Sequence, residues 1–141
     1  MPKLTRSALL EVPVATAYQV VCDVVSYPQF VPACDSVTVL EQLEDGLRAK
    51  VVVAARGMRQ SFTTVNHHVR NERIKMMLED GPFERLVGEW QFAGIGDAGC
   101  RVSLAMDFVP KGMLAMMLSG VAEPVADTLV DAFCERMRSI G

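Results

Sequence analysis

Through most of this chain of 141 residues, apolar positions alternate with polar ones, the period of a strand with one buried face. The clearest case is 100–109, where Val102, Leu104, Met106 and Phe108 share one face and Arg101, Ser103 and Asp107 take the other. Its neighbour at 84–93 sets Leu86, Trp90 and Phe92 against Arg85, Glu89 and Gln91, and Gly88 leaves room on the apolar side for something to approach the backbone. Further strands are predicted over 3–11, 35–43, 47–56, 59–70 and 73–79. Turn residues separate them at Glu44-Asp45-Gly46, Arg56-Gly57-Met58, Arg70-Asn71-Glu72 and Asp80-Gly81-Pro82.

Two stretches change period. After Pro13, the residues Ala17, Val20, Val21 and Val24 form the stripe of a first helix that ends near Val25. From Lys111 to Ile140, Leu114, Met117, Leu118, Val121, Val125, Leu129, Ala132 and Phe133 recur at spacings of three and four and predict one long helix. Glu123, Asp127, Asp131 and Glu135 form a carboxylate row on its opposite face, and Pro124 interrupts it. Pro124 is the expected joint between a mobile half, Gly112 to Val121, and an anchoring half. Between the first helix and the next strand lies Ser26-Tyr27-Pro28-Gln29-Phe30-Val31-Pro32-Ala33-Cys34, where two prolines allow only a short turn or loop. Its Tyr27, Phe30 and Val31 either plug the sheet or sit at the rim of a pocket.

The element order is therefore strand, helix, six strands and a long helix, an α+β arrangement. An antiparallel sheet is the partner that buries the helix stripe. No repeat, linker or low-complexity segment divides the chain, so 1–141 reads as one domain, long enough to bury about two thirds of its unfolded surface.

Charge and cysteine content narrow the function. Fourteen Lys and Arg stand against 17 Asp and Glu, a net charge of −3, and no basic run exceeds two neighbours, which counts against a nucleic acid partner held by phosphate neutralisation, and no DNA partner is expected. A local basic patch from Arg48, Lys50, Arg56, Arg59 and Arg70 is expected on the convex face of the middle strands. The four cysteines are widely spaced and carry no zinc or thioredoxin motif. No window approaches the ~20 apolar residues of a spanning helix, and Met1-Pro2-Lys3-Leu4-Thr5-Arg6 lacks a signal peptide's apolar core, so a cytoplasmic protein is expected.

Catalytic and cofactor motifs fail on context. Gly94-Ile95-Gly96-Asp97-Ala98-Gly99 matches G-x-G-x-x-G but is followed by another strand rather than a helix, and reads as a hairpin loop. His67 and His68 are adjacent in a strand and point to opposite faces, which excludes a shared metal; parity with Phe62, Thr64 and Asn66 turns His68 inward. Ser119-Gly120 lies in an apolar helix, not a nucleophile elbow. Neither a cofactor nor a catalytic set is expected.

What remains is a one-sided apolar inventory. A bent sheet gripping a helix leaves an apolar space between them, and Thr64, Asn66 and Arg6 on the inward side favour a cavity over a dry core. The residues expected to line it are Phe30, Val53, Phe62, Asn66, Met76 and Leu78, with Trp90, Met106 and Phe108 from the later strands and Met113, Met117 and Val121 from the helix. Nine methionines supply side chains that adapt to loosely shaped ligands.

Several stretches resemble a known family: Ser26 to Cys34 as quoted above, Phe62-Thr63-Thr64-Val65-Asn66, Leu78-Glu79-Asp80-Gly81-Pro82-Phe83, Leu86-Val87-Gly88-Glu89-Trp90-Gln91-Phe92 and Cys100-Arg101-Val102. Together they are similar to the START-related helix-grip family, in the branch that holds the coenzyme-Q-binding proteins and the bacterial ribosome-association toxins. The resemblance implies a seven-stranded antiparallel sheet wrapped around the C-terminal helix, with a hydrophobic tunnel for an isoprenoid quinone or another lipid. It implies non-enzymatic binding that supports respiratory electron transport, with transient contact at a membrane surface. For the toxin members it implies binding to the large ribosomal subunit. The family also has polyketide cyclases and aromatases, whose chemistry here would need an inward base such as His68. Pro124 departs from the pattern, in which the helix is uninterrupted.

Overall fold

The structure is a computed structural model that describes residues 3–55 and 57–140. Met1, Pro2 and Arg56, which figure in the N-terminal and basic-patch readings above, lie outside the described residues. Seven strands form one antiparallel sheet: β1 (Lys3–Leu10), β2 (Cys34–Leu43), β3 (Gly46–Ala55), β4 (Met58–Val69), β5 (Arg73–Asp80), β6 (Phe83–Ile95) and β7 (Gly99–Pro110). Their spatial order is β1-β7-β6-β5-β4-β3-β2, so β1 closes against the last strand and every other pair is a sequence neighbour. The alternation between 100 and 109 does what it predicts: Cys100, Val102, Leu104 and Phe108 are buried on the concave face while Arg101 is exposed. The glycine-rich segment is the β6–β7 hairpin, with Gly96 at φ +65°.

Three helices cover the concave face: α1 (Val14–Cys22), α2 (Gly112–Leu118) and α3 (Ala122–Ile140). A 3-10 turn, Val24–Gln29, follows α1 and packs on β2. α1 and α3 pack on each other. α1 lies over β5, β6 and β7, α3 over β1, and α2 over β4 and β7. Trp90, Ile74, Val21, Val102, Cys100 and Met137 are fully enclosed beneath α1 and α3. The space expected over Gly88 is taken by Met76, whose Cε lies 2.8 Å from where a Cβ would stand.

The C-terminal segment corrects the expectation of one helix broken at Pro124. The break falls at 119–121, where Gly120 takes φ +73° and the axes on either side differ by 81°. Pro124 is the third residue of α3, in the first turn, where a backbone N–H has no intrahelical acceptor to lose. The break also resets the helical phase. The buried stripe of α3 is Ala126, Val130, Phe133, Cys134 and Met137, and Val125, expected to face the sheet, is exposed. The carboxylate row is exposed as predicted. Among the described residues, no single helix is long and apolar enough to cross a membrane.

Candidate functional site

The concave face has two unlike ends. At the end covered by α1, α3 and the 3-10 turn, rings pack edge to face in a chain: Phe30 on Tyr27, both on Phe133, Phe133 against Trp90, and Tyr18 on Phe92. The Tyr27 hydroxyl donates to the Val21 carbonyl, and burial pushes its phenol far above the usual range. The Arg136 guanidinium lies 5.2 Å from the Phe30 ring centre and donates to Gln29. Of the residues expected to line a cavity, Trp90 sits in packed core, only 2% exposed, and Phe30 is half-buried against the edge of that core.

The other end is less complete. Phe108 and Met117 are buried with Leu4, Phe83, Leu86, Leu114 and Ala126, and Val53, Phe62, Leu78 and Met106 pack around them while keeping part of their surface in solvent. Six of the expected residues are brought together here. Met76 is half-buried against the closed core. Val121 lies half-buried in the helix break, and Met113 is exposed, its Sδ accepting from Gln60 Nε2 at 3.7 Å.

A polar strip on β4 lies on the same face. Thr64 and Asn66 are 5% and 4% exposed among apolar neighbours, and the Thr64 hydroxyl donates to Asn66 Oδ1 at 2.9 Å. Asn66 stands opposite Leu47 and Met76. Further along, His68 faces α1 as parity predicted. Its Nδ1 is 3.9 Å from Cys22 Sγ, its ring meets Tyr18 edge-on, and its Nε2 is buried without a partner among the described residues. Burial holds the imidazole below its usual range, against the pull of the Asp45 carboxylate. Burial raises the Cys22 thiol and, with the hydrogen bond to Cys22, pushes the Tyr18 phenol up to about 12. All three groups are therefore uncharged at neutral pH. Sequence reading missed Tyr18 and Cys22 as partners of His68, although their spacing of four on α1 sets both on the face turned to the sheet.

Arg6, whose inward position favoured a cavity in the sequence, is ion-paired with Asp127 and ties β1 to α3. Of the expected basic patch, Arg48 is held by Glu79 at 2.6 Å and by Glu41 at 3.3 Å, and Arg59 by Asp35, while Lys50 and Arg70 are exposed. The described residues contain no cluster of metal-ligating side chains. Two open clefts occur away from the concave centre, about 630 Å³ between α1 and Ile140 at the end of α3, and about 340 Å³ on the convex face beside Arg73 and Arg101.

A seven-stranded antiparallel sheet closed by a C-terminal helix over an apolar, uncharged face defines a START-like helix-grip protein. The chain belongs to the polyketide cyclase / dehydrase and lipid transport family, whose defining pattern matches residues 10–134. It is 40% identical over 138 residues to the ribosome association toxin RatA of Pseudomonas aeruginosa, covering 97% of this chain and 96% of that one. It is 25% identical over 139 residues to the mitochondrial coenzyme Q-binding protein of Drosophila melanogaster, covering 95% of this chain and 57% of that one. The solved ZhuI aromatase/cyclase of a Streptomyces species superposes with a TM-score of 0.84 at 18% identity, over 97% and 93% of the two chains, a likeness of fold.

Proposed function

We propose that this protein is a non-enzymatic binder of a hydrophobic lipid with an uncharged polar head, an isoprenoid quinone being the best match, in support of respiratory electron transport. The observation that carries this reading is the pairing of half-open apolar residues, Val53, Phe62, Leu78 and Met106, with the buried uncharged strip Thr64, Asn66 and His68. Among the described residues a carboxylate or phosphate head would find no free cation there, because the inward Arg6 is neutralised by Asp127. A quinone carbonyl needs only a hydrogen-bond donor, which an asparagine amide or an imidazole supplies. Each buried methylene of an isoprenoid tail contributes about 0.8 kcal/mol, so a few isoprene units outweigh the cost of ordering the tail. Exposed Met113 and Met116 on α2 suit transient contact with a membrane surface during exchange. Protein purified under native conditions should release quinone into organic solvent for mass spectrometry, and quinone should titrate saturably. Empty extracts together with non-saturable binding would defeat this reading.

A second reading, association with the large ribosomal subunit, is favoured by the 40% identity to a ribosome association toxin along almost the whole chain. Sucrose gradients separate the two: a ribosome-binding toxin cosediments with the large subunit and lowers the 70S fraction, whereas a carrier alone leaves the profile unchanged.

A further inference from the structure

On the convex side, Arg73 of β5 and Arg101 of β7 point outward, because their neighbours Ile74 and Val102 are buried on the concave face. The register sets Arg73 opposite Gln91 and Arg101 opposite Ala93, so β6 runs between the two arginines. Two strand spacings across the sheet and a two-residue offset along β6 set their backbones about 12 Å apart. Ala93 and Ser103 are small, and the open cleft of about 340 Å³ lies between the long side chains, with Glu72 and Gln91 also lining it.

Among the arginines of this face, charge compensation separates those of the cleft from the others, while Lys50 and Lys75 are single exposed cations outside it. Arg48, Arg59 and Arg85 each have a carboxylate partner. Arg73 and Arg101 have no ion-pair partner among the described residues. Glu72 at the rim has its backbone carbonyl fixed by Phe92 N–H at 2.8 Å, which leaves two guanidinium groups against one carboxylate. The Gln91 amide donates one N–H to Glu89 at 2.6 Å, which leaves its second N–H and the Ser103 hydroxyl as neutral donors of the cleft.

We infer that this cleft binds a phosphate group, and that its occupant is the phosphate backbone of RNA. Forked guanidinium donors match phosphate oxygens two by two. Glu72 at the rim and Glu89 beside the cleft, neither of them in an ion pair among the described residues, oppose a flat anionic bilayer laid over this face, whereas a single RNA strand can lie between the two arginines without covering Glu89. With net charge −3 the chain has no long basic track, so contact is limited to one or two phosphates and reads shape rather than sequence. The inference rests on the ribosome-associated reading and supplies a surface for it.

The test is fluorescence anisotropy with a short labelled single-stranded RNA, comparing the wild type with the double variant Arg73→Gln/Arg101→Gln and with Lys50→Gln, an exposed cation of the same face outside the cleft. Both arginines are exposed, so thermal melts of the variants should match the wild type. The double variant should bind at least about tenfold more weakly and with a shallower salt dependence, inorganic phosphate should compete, and Lys50→Gln should bind like the wild type. Equal weakening by Lys50→Gln, absence of RNA binding, or preferential retention on phosphatidylglycerol vesicles would overturn the inference. Ribosome cosedimentation keeps the two levels apart. Wild type and double variant cosedimenting equally overturns the cleft alone, while a wild type that binds RNA through the arginines but does not cosediment overturns the ribosome reading alone.

Discussion

Beneath α1 and α3, Trp90, Ile74, Val102 and Met137 are closed off from water, whereas beneath α2, Val53, Phe62, Leu78 and Met106 keep part of their surface open. Both regions belong to the same sheet face and carry equally apolar side chains. They differ in their cover. α3 has 19 residues and a second helix beside it, while α2 has seven, about 10 Å of length, enough to bridge roughly two strand spacings. An apolar inventory therefore does not decide between core and cavity. The length and placement of the covering helix set how much of that face stays exposed, and α2 ends after seven residues.

The sharpest break of this comparison is Trp90→Ala. Emptying the closed end should cost about 3–5 kcal/mol in urea denaturation, as expected for a large aromatic that cannot be replaced by local collapse. Phe62→Ala at the open end should cost only about 1–2 kcal/mol, because the ring is already part-solvated, yet weaken quinone titration about tenfold. Equal stability losses at the two positions would erase the distinction. Gly120→Ala should cost about 1 kcal/mol, since φ +73° strains any side chain, and should alter the rate of lipid exchange measured between vesicles.

A smaller effect is confined to acid. The His68 pKa is lowered in the folded state, so the unfolded chain binds more protons below the free imidazole value of about 6.5. Stability should be full above that pH and fall as pH drops through the depressed folded value. Replacing His68 by Phe should remove this part of the decline in pH-resolved melts. Smallest of all is Pro124→Ala, which should change stability by less than about 0.5 kcal/mol and leave the 81° bend in place, because Pro124 occupies a helix start rather than a joint.

Strand positions were legible because parity is local: Val102, Leu104 and Phe108 declare a buried face within seven residues. The helix break was not, since a proline is visible in sequence but the turn that contains it depends on where the helix begins, and Gly120 shows its left-handed backbone only in the fold. The charge map failed for a related reason. Arg48 finds Glu79, 31 residues away, through the pairing of β3, β4 and β5, so no run of sequence reveals which cations are spent and which, like Arg73 and Arg101, are free to meet a partner. At the site, Asn66 and Thr64 were predictable from their inward parity, while their pairing and the sealing of His68 by Tyr18 and Cys22 required the packing of α1.

The closure of β1 against β7 carries a consequence for how the molecule is made. Lys3 pairs with Asp107 and Leu10 with Cys100, so the first strand synthesised waits for nearly the whole sheet before its ladder can form. Its inward Leu4 and Leu10 and its outward Leu9 stay exposed through that interval. Folding is thus expected to finish late, by the docking of an N-terminal strand onto a preformed six-stranded sheet, and the Arg6–Asp127 pair between β1 and α3 can form only after α3 has been made.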